Sequence, residues 1–210
     1  MTGSTQAGRI GLLGGTFNPV HHGHLIMARD AMETLDLTGV TFVPCHTPPH
    51  KQAQGLADSA HRLAMLRLAV ADMAGFDVSD MELQRSGTSY TIDTILELRD
   101  RCPGSEWVFL IGSDSLFELH TWRRIDELLG LCTIVAMARP GFDPSNIDPR
   151  NLKLKDPWPH RLLDDVITGH RIEVSASDIR ARVANGKSIR YLLPEAVEEY
   201  IDEHLLYVSK

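Results

Sequence analysis

An apolar run that stops at two glycines and reopens as a helix restricts a chain more than its overall composition does. Arg9 to Leu13 (RIGLL) is a short apolar stretch that ends at Gly14 and Gly15. Unbroken runs of this kind belong to parallel strands covered on both faces. After Gly23, the residues Leu25, Ala28, Met32 and Leu35 recur at helical spacing, so a helix is expected from about 23 to about 36. VTFVPC (40–45) then reads as a second strand. A strand, a helix and a strand in this order form a right-handed crossover that sets the two strands parallel.

The alternation continues along the chain. HTPPHKQAQG (46–55) is too rich in proline for regular structure, and Asp58 or Ser59 can cap the next helix, which carries Leu63, Leu66, Ala69 and Val70. A short strand is expected near 76–84 and a helix from about Thr91 to Arg101, while EWVFLIG (106–112) and CTIVAMA (132–138) are nearly continuous apolar strands. Pro140, Pro144, Pro149, Pro157 and Pro159 mark 140–160 as a long surface excursion. RIEV (171–174) reads as a last strand, followed by helices at 177–184 and about 194–205. The expected fold class is α/β: a doubly wound, mainly parallel Rossmann-like sheet with C-terminal helices. A flexible tail is expected at 1–8 and a single domain over 9–210. Ligands of such sheets lie at the carboxyl ends of the strands.

Composition narrows the partners. With 43% hydrophobic and 23% charged residues the chain can bury a full core. A formal charge of -7 and a pI near 5.8 argue against a nucleic-acid polymer, whose backbone needs a field of Lys and Arg. Small anions remain open, because backbone N–H groups alone can bind them. Cys45, Cys102 and Cys132 are widely spaced and form no C-x-x-C pair, so neither a disulfide framework nor a thiolate zinc site is expected, and a reducing cytoplasm is. There is no basic-plus-apolar signal segment and no apolar run of about 18 residues, so no membrane partner is expected.

GGTFNPVHHGH (14–24) falls where the ligand of such a sheet would sit. Its glycines let backbone N–H groups approach an anion and allow positive φ. His21, His22 and His24 meet the helix N-terminus, where unpaired N–H groups and the helix dipole favour negative charge. Two other readings stand beside this one: a glycine turn with exposed histidines, and a zinc site of His21, His22 and His24 with His46 or His50. No acidic or thiolate partner stands next to these histidines, and no protein-held metal is expected. Gly11 does not open a G-x-G-x-x-G pattern, and NGKS (185–188) lacks the P-loop's leading glycine because Ala181 stands there. In VSASDIR (174–180), Ser177 is expected to cap a short helix that ends at Asn185-Gly186, with Arg180 one turn in; an ordinary capped helix with a surface arginine is the plain alternative. Trp122 stands in polar surroundings, LHTWRRID, which suits a stacking platform for a flat heterocycle or packing on a helix through Ile125 and Leu128.

GGTFNPVHHGHL resembles the T/H-x-G-H signature of the nucleotidyltransferase superfamily and, in detail, the bacterial nicotinate-nucleotide adenylyltransferase family. The likeness runs from about Arg9 to Tyr207. PPHK (48–51), SYTIDTI (89–95), GSDSL (112–116), HTW (120–122), ARPG (138–141) and VSASDIR follow in the family's order; each is weak alone, and the ordered set is specific. The family usually shows Asp where this chain has Asn18, a change that keeps the size and removes a charge.

The resemblance implies an enzyme of NAD biosynthesis that transfers the adenylyl group of ATP to nicotinate mononucleotide, giving deamido-NAD and pyrophosphate by in-line attack without a covalent intermediate. It implies catalytic roles for His21, His24, Lys51 and Arg180. ATP would be bound by Gly14, Gly15, Thr16, Phe17, Gly112, Asp114, Arg139, Ser175 and Ser177, with Mg²⁺ carried on the nucleotide. Nicotinate mononucleotide would be bound by Asn18, Tyr90, Thr91, Trp122 and Arg123, its carboxylate on backbone N–H groups near Thr91 and at Arg123. Homo-oligomerisation stays open. Phosphopantetheine, flavin and cytidylyl transferases share the first loop, and SYTIDTI with HTW favours a pyridine nucleotide. A nucleotide-sensing module without turnover is the rival from another class; it should have lost a histidine or the arginine, yet His21, His24 and Arg180 are present.

Overall fold

Parallel strands β1 (Arg9–Gly15), β2 (Gly39–Pro44), β3 (Phe76–Val78), β4 (Glu106–Gly112) and β5 (Thr133–Met137) form one sheet in the order β3-β2-β1-β4-β5. The coordinates are a computed structural model that describes residues 8–46, 55–85 and 87–208. Leu12 at the centre of β1 lies opposite Thr41 of β2 on one side and Phe109 of β4 on the other. The chain therefore builds outward from β1 in one direction and then crosses back to build in the other. That reversal opens a crevice beyond the carboxyl ends of β1 and β4, where Gly14, Gly15 and Gly112 stand.

Side chains of a strand alternate between faces, and β4 shows why its sequence has no polar half. Trp107, Phe109 and Ile111 enter one core, Val108 and Leu110 the other. Helices α1 (His22–Thr34), α2 (Ser59–Val70), α6 (Ala176–Ala184) and α7 (Glu195–Glu203) cover the Val108 side through Leu25, Met65, Ile179 and Val197. The opposite side is covered by α3 (Thr91–Arg101), α4 (Ile125–Leu131) and α5 (Trp158–Asp164), through Ile95, Leu128 and Leu162. Each such buried side chain contributes about 1.5–3 kcal/mol, so the unbroken run holds both helical layers on the sheet.

Two expected strands are shorter or absent. The strand expected at 76–84 ends at Val78, because Leu83 and Gln84 turn back onto the Asp80 carbonyl. RIEV (171–174) has no strand structure; only Ile167 touches the sheet, in a single bridge to Met137. Beyond Ile167 the backbone is held by a side chain instead: the His170 N–H donates to Asp30 Oδ2 of α1 at 2.7 Å. The proline-rich excursion contains two 3₁₀ turns capped by Asp143 and Asp148, and α5 begins inside its last residues. Residues 1–7 and most of the 46–55 loop lie outside the described residues. No helix among the described residues is long and apolar enough to cross a membrane.

Candidate active site

A cavity of about 1190 Å³ occupies the crevice, larger than the roughly 300–1,000 Å³ of common small-molecule sites and large enough for two nucleotides. It is lined by Gly14, Gly15, Thr16, Phe17, Asn18, His21 and His24 from the first loop, and by Tyr90, Thr91, Trp122 and Arg123 at one end. Gly112, Asp114, Arg139, Ser175, Ser177 and Arg180 complete it. Lys51 lies outside the described residues. Every other residue to which the resemblance gives a catalytic or substrate-binding role lines this one space, although they are spread over more than three-quarters of the chain; His22 and His46, named for the zinc alternative, do not line it.

The glycines of the first loop serve a steric purpose. Neither Gly14 nor Gly15 uses the positive φ that a glycine allows. A Cβ on Gly14 would stand 3.2 Å from the Phe109 ring, and one on Gly15 would stand 3.0 Å from the Phe17 ring. Left-handed backbone occurs instead at Phe17, with φ 47. Its buried ring holds that conformation by packing on Phe42 at 5.9 Å and edge-on to His24 at 5.0 Å.

The rings of His21 and His24 stack with centroids 3.8 Å apart. The backbone N–H of His21 donates to His24 Nδ1 at 3.3 Å, so the neutral His24 ring must carry its proton on Nε2. His21 is only 6% exposed, and its Nδ1 has no hydrogen-bond partner among the described residues. Burial, with smaller contributions from the charges of Arg139 and His22, pushes its pKa down to about 4. At neutral pH the ring is therefore an uncharged group in the wall of the cavity. Among the described residues no group of three or more His, Cys, Asp or Glu could hold a metal ion.

Opposite the first loop, Arg139 pairs with Asp114 at 3.0 Å over Gly112, where a Cβ would strike Asp114 Oδ1 at 2.5 Å. The helix cap of α6 is Ser175, not Ser177: Ser175 Oγ accepts from the Asp178 N–H at 3.1 Å and lies 2.8 Å from Ser177 Oγ. Ser177 sits within the first turn with its hydroxyl beside that cap. Arg180 reaches back to the first loop and donates to the Asn18 carbonyl at 2.7 Å. At the far end, the Arg123 guanidinium lies 4.6 Å from the centre of the Tyr90 ring, and the half-buried Trp122 meets Phe109 edge-on at 5.9 Å. Tyr90 precedes α3 without a capping side-chain bond, which leaves first-turn N–H groups for a ligand.

Asn18 uses both ends of its amide within the protein. Nδ2 donates to the Gly55 carbonyl at 2.8 Å, while Oδ1 accepts from the Ala57 N–H at 3.1 Å and the Tyr207 hydroxyl at 2.8 Å. A carboxylate could not make the first of these bonds, so an amide fits this surrounding. Tyr207→Phe is expected to lower the unfolding free energy by about 1 kcal/mol in urea titration. A stability equal to wild type would show that the hydroxyl contributes nothing there.

Three polar groups escaped the sequence reading. Arg62, in the apolar-periodic α2, is buried beneath the first loop. Glu82, in the stretch read as strand, is buried in the cavity wall, accepts from Thr94 Oγ1 at 2.6 Å, and has its pKa raised by burial. Asp30 sits mid-helix and holds both the backbone and the ring of His170. Each looks in sequence like one more surface charge, and only the tertiary arrangement turns it inward.

Residues 12–182 match the family described as cytidylyltransferase-like. A probable nicotinate-nucleotide adenylyltransferase of Citrifermentans bemidjiense is 42% identical over 215 residues, covering 96% of this chain and 99% of that protein. One from Geobacillus kaustophilus is 44% identical over 203 residues, covering 97% and 88%. Among solved structures, a Plasmodium falciparum nicotinic acid mononucleotide adenylyltransferase complexed with NaAD superposes with a TM-score of 0.75 at 20% identity, covering 95% of this chain and 97% of that one. At that identity the likeness is one of fold.

Proposed function

We propose a reaction for a chain that belongs to the nicotinate-nucleotide adenylyltransferase family, within the cytidylyltransferase-like group: it joins ATP and nicotinate mononucleotide into deamido-NAD and pyrophosphate. The observation that carries the reading is the single cavity over the switch point. It has a glycine, histidine and helix-terminus wall at one side and an aromatic, cationic end at the other.

A 5′-phosphate is already ionised near neutral pH, so the attacking oxygen needs no general base. It forms the new bond to the α-phosphorus of ATP as the bond from that phosphorus to the bridging oxygen of the leaving pyrophosphate breaks. The protein must align three groups in line and supply donors for charge on the equatorial oxygens. His21 and His24 serve as donors at the α-phosphate, and the neutral state of His21 suits a hydrogen-bond donor. Ser175, Ser177 and the N-terminus of α6 hold the outer phosphates together with Arg180 and Lys51. Gly112, Asp114 and Arg139 lie at the adenosine end. Mg²⁺ carried with the nucleotide would supply charge neutralisation for the leaving pyrophosphate.

Nicotinate mononucleotide stacks its pyridine on Trp122 beside the Tyr90–Arg123 pair, and its carboxylate is received by N–H groups at Thr91 and Arg123. A neutral carboxamide would bring its own donor against those donors, which favours the acid form. The test is pyrophosphate release with ATP and Mg²⁺ and three acceptors in parallel: nicotinate mononucleotide, nicotinamide mononucleotide and phosphopantetheine. Rapid release with the nicotinate form alone is expected. No release with any acceptor, in protein that still binds ATP, would leave a nucleotide-sensing module.

A further inference from the structure

We propose that Arg62 is a positioning residue that ties the two substrate ends of the cavity together through backbone carbonyls; this rests on the adenylyl-transfer reading above. Arg62 is 1% exposed and makes no ion pair among the described residues. Its guanidinium donates instead to four carbonyls: Cys45 at 2.8 Å, Thr16 at 2.9 Å, and His46 and Ala57 at 3.1 Å each. These belong to three segments: the first loop, the end of β2 and the chain entering α2. A buried cation without an ion-paired carboxylate is costly, and burial lowers its pKa. Hydrogen bonds from four of its five N–H groups are what make it tolerable.

The C=O and N–H of a trans peptide point in opposite directions, so a carbonyl held by Arg62 fixes a donor on the other side. The Cys45 carbonyl faces Arg62, and the N–H of the same peptide, on His46, donates to Ser89 Oγ at 3.1 Å. Ser89 lines the cavity next to Tyr90, at the acceptor end. The Thr16 carbonyl also faces Arg62, which turns the Phe17 N–H away from it in the loop that lines the nucleotide end. Ala57 is held at both of its flanking peptides: its carbonyl accepts from Arg62 and its N–H donates to Asn18 Oδ1. One planar cation thus sets the first loop and, through a peptide unit, the start of the acceptor segment. Lysine keeps the charge but has three donors on a flexible stem and cannot span four carbonyls.

The experiment compares wild type, Arg62→Lys, Ser89→Ala and the double variant by steady-state pyrophosphate release from ATP and nicotinate mononucleotide, with thermal unfolding alongside. Arg62→Lys is expected to raise both KM values and lower kcat, each by about 10-fold, since small misplacements of reacting groups are expensive. Ser89→Ala is expected to raise the KM for nicotinate mononucleotide and leave that for ATP. The double variant should lose less than the product of the single losses, because both break one chain of bonds. A folded Arg62→Lys with a lowered melting point and wild-type KM and kcat would reduce Arg62 to a structural role and overturn the proposal, as would losses that multiply. If Arg62→Lys does not fold, Ser89→Ala decides: a selective rise in the nicotinate mononucleotide KM supports the link, and no change overturns it. A wild-type protein that releases no pyrophosphate would sink the underlying reaction instead, so the two failures are distinguishable.

Discussion

Replacing His24 with alanine is expected to lower kcat about 100-fold while changing the KM for ATP little, because the lost donor acts on charge that grows in the transition state. That factor corresponds to about 2.7 kcal/mol. The structure supplies the reason for choosing this residue. A backbone N–H is always a donor, so the 3.3 Å bond from His21 N to His24 Nδ1 leaves the neutral ring protonated on Nε2. Phe17 at its edge and His21 across its face hold the ring plane. The pre-set tautomer and ring plane let it donate without reorganising during the reaction. Alanine also removes the acceptor for the His21 N–H at the start of α1, which costs about 1 kcal/mol of stability, so kcat must be taken per folded molecule. A folded His24→Ala enzyme with near-normal kcat would take His24 out of the chemistry.

The parts of this protein that were legible in sequence are those in which local pattern and tertiary role coincide. β1, β2, β4 and β5 announce themselves as apolar runs because both faces of the sheet are covered. The first loop is legible because glycines, a proline and histidines cluster at one strand-to-helix junction. RIEV misled because β-branched and apolar residues suit a strand, while the chain there is fixed by Asp30, one hundred and forty positions away in sequence. Ser175 and Ser177 are equivalent as caps by spacing, and only the extended backbone at Ser175 separates them. Arg62 was invisible for a deeper reason. Its partners are carbonyl groups, which every residue has, so no side-chain motif marks them.

His21 is expected to make the protein lose about 3 kcal/mol of stability as pH falls from 6.5 towards 4, given an ordinary imidazole pKa of 6.5 in the unfolded chain and about 4 in the folded one. Within this window the unfolded state binds the proton that the folded state refuses. Stability therefore rises with pH, is complete above the unfolded value, and is lost as pH falls towards the folded one. Urea unfolding at several pH values, on wild type and His21→Gln, isolates the contribution. Glu82, whose pKa is raised by burial, works in the opposite direction, since its folded form holds a proton that the unfolded chain releases first. The difference between the two proteins cancels that opposing effect. A His21→Gln protein with the same pH dependence as wild type would mean that His21 does not stay neutral. The same desolvation has a consequence for binding. ATP phosphates at this ring would favour its charged form, so bound nucleotide should flatten the acid loss of stability in wild type and leave the His21→Gln variant unaffected. If so, the histidine reports through its titration that phosphate lies against it.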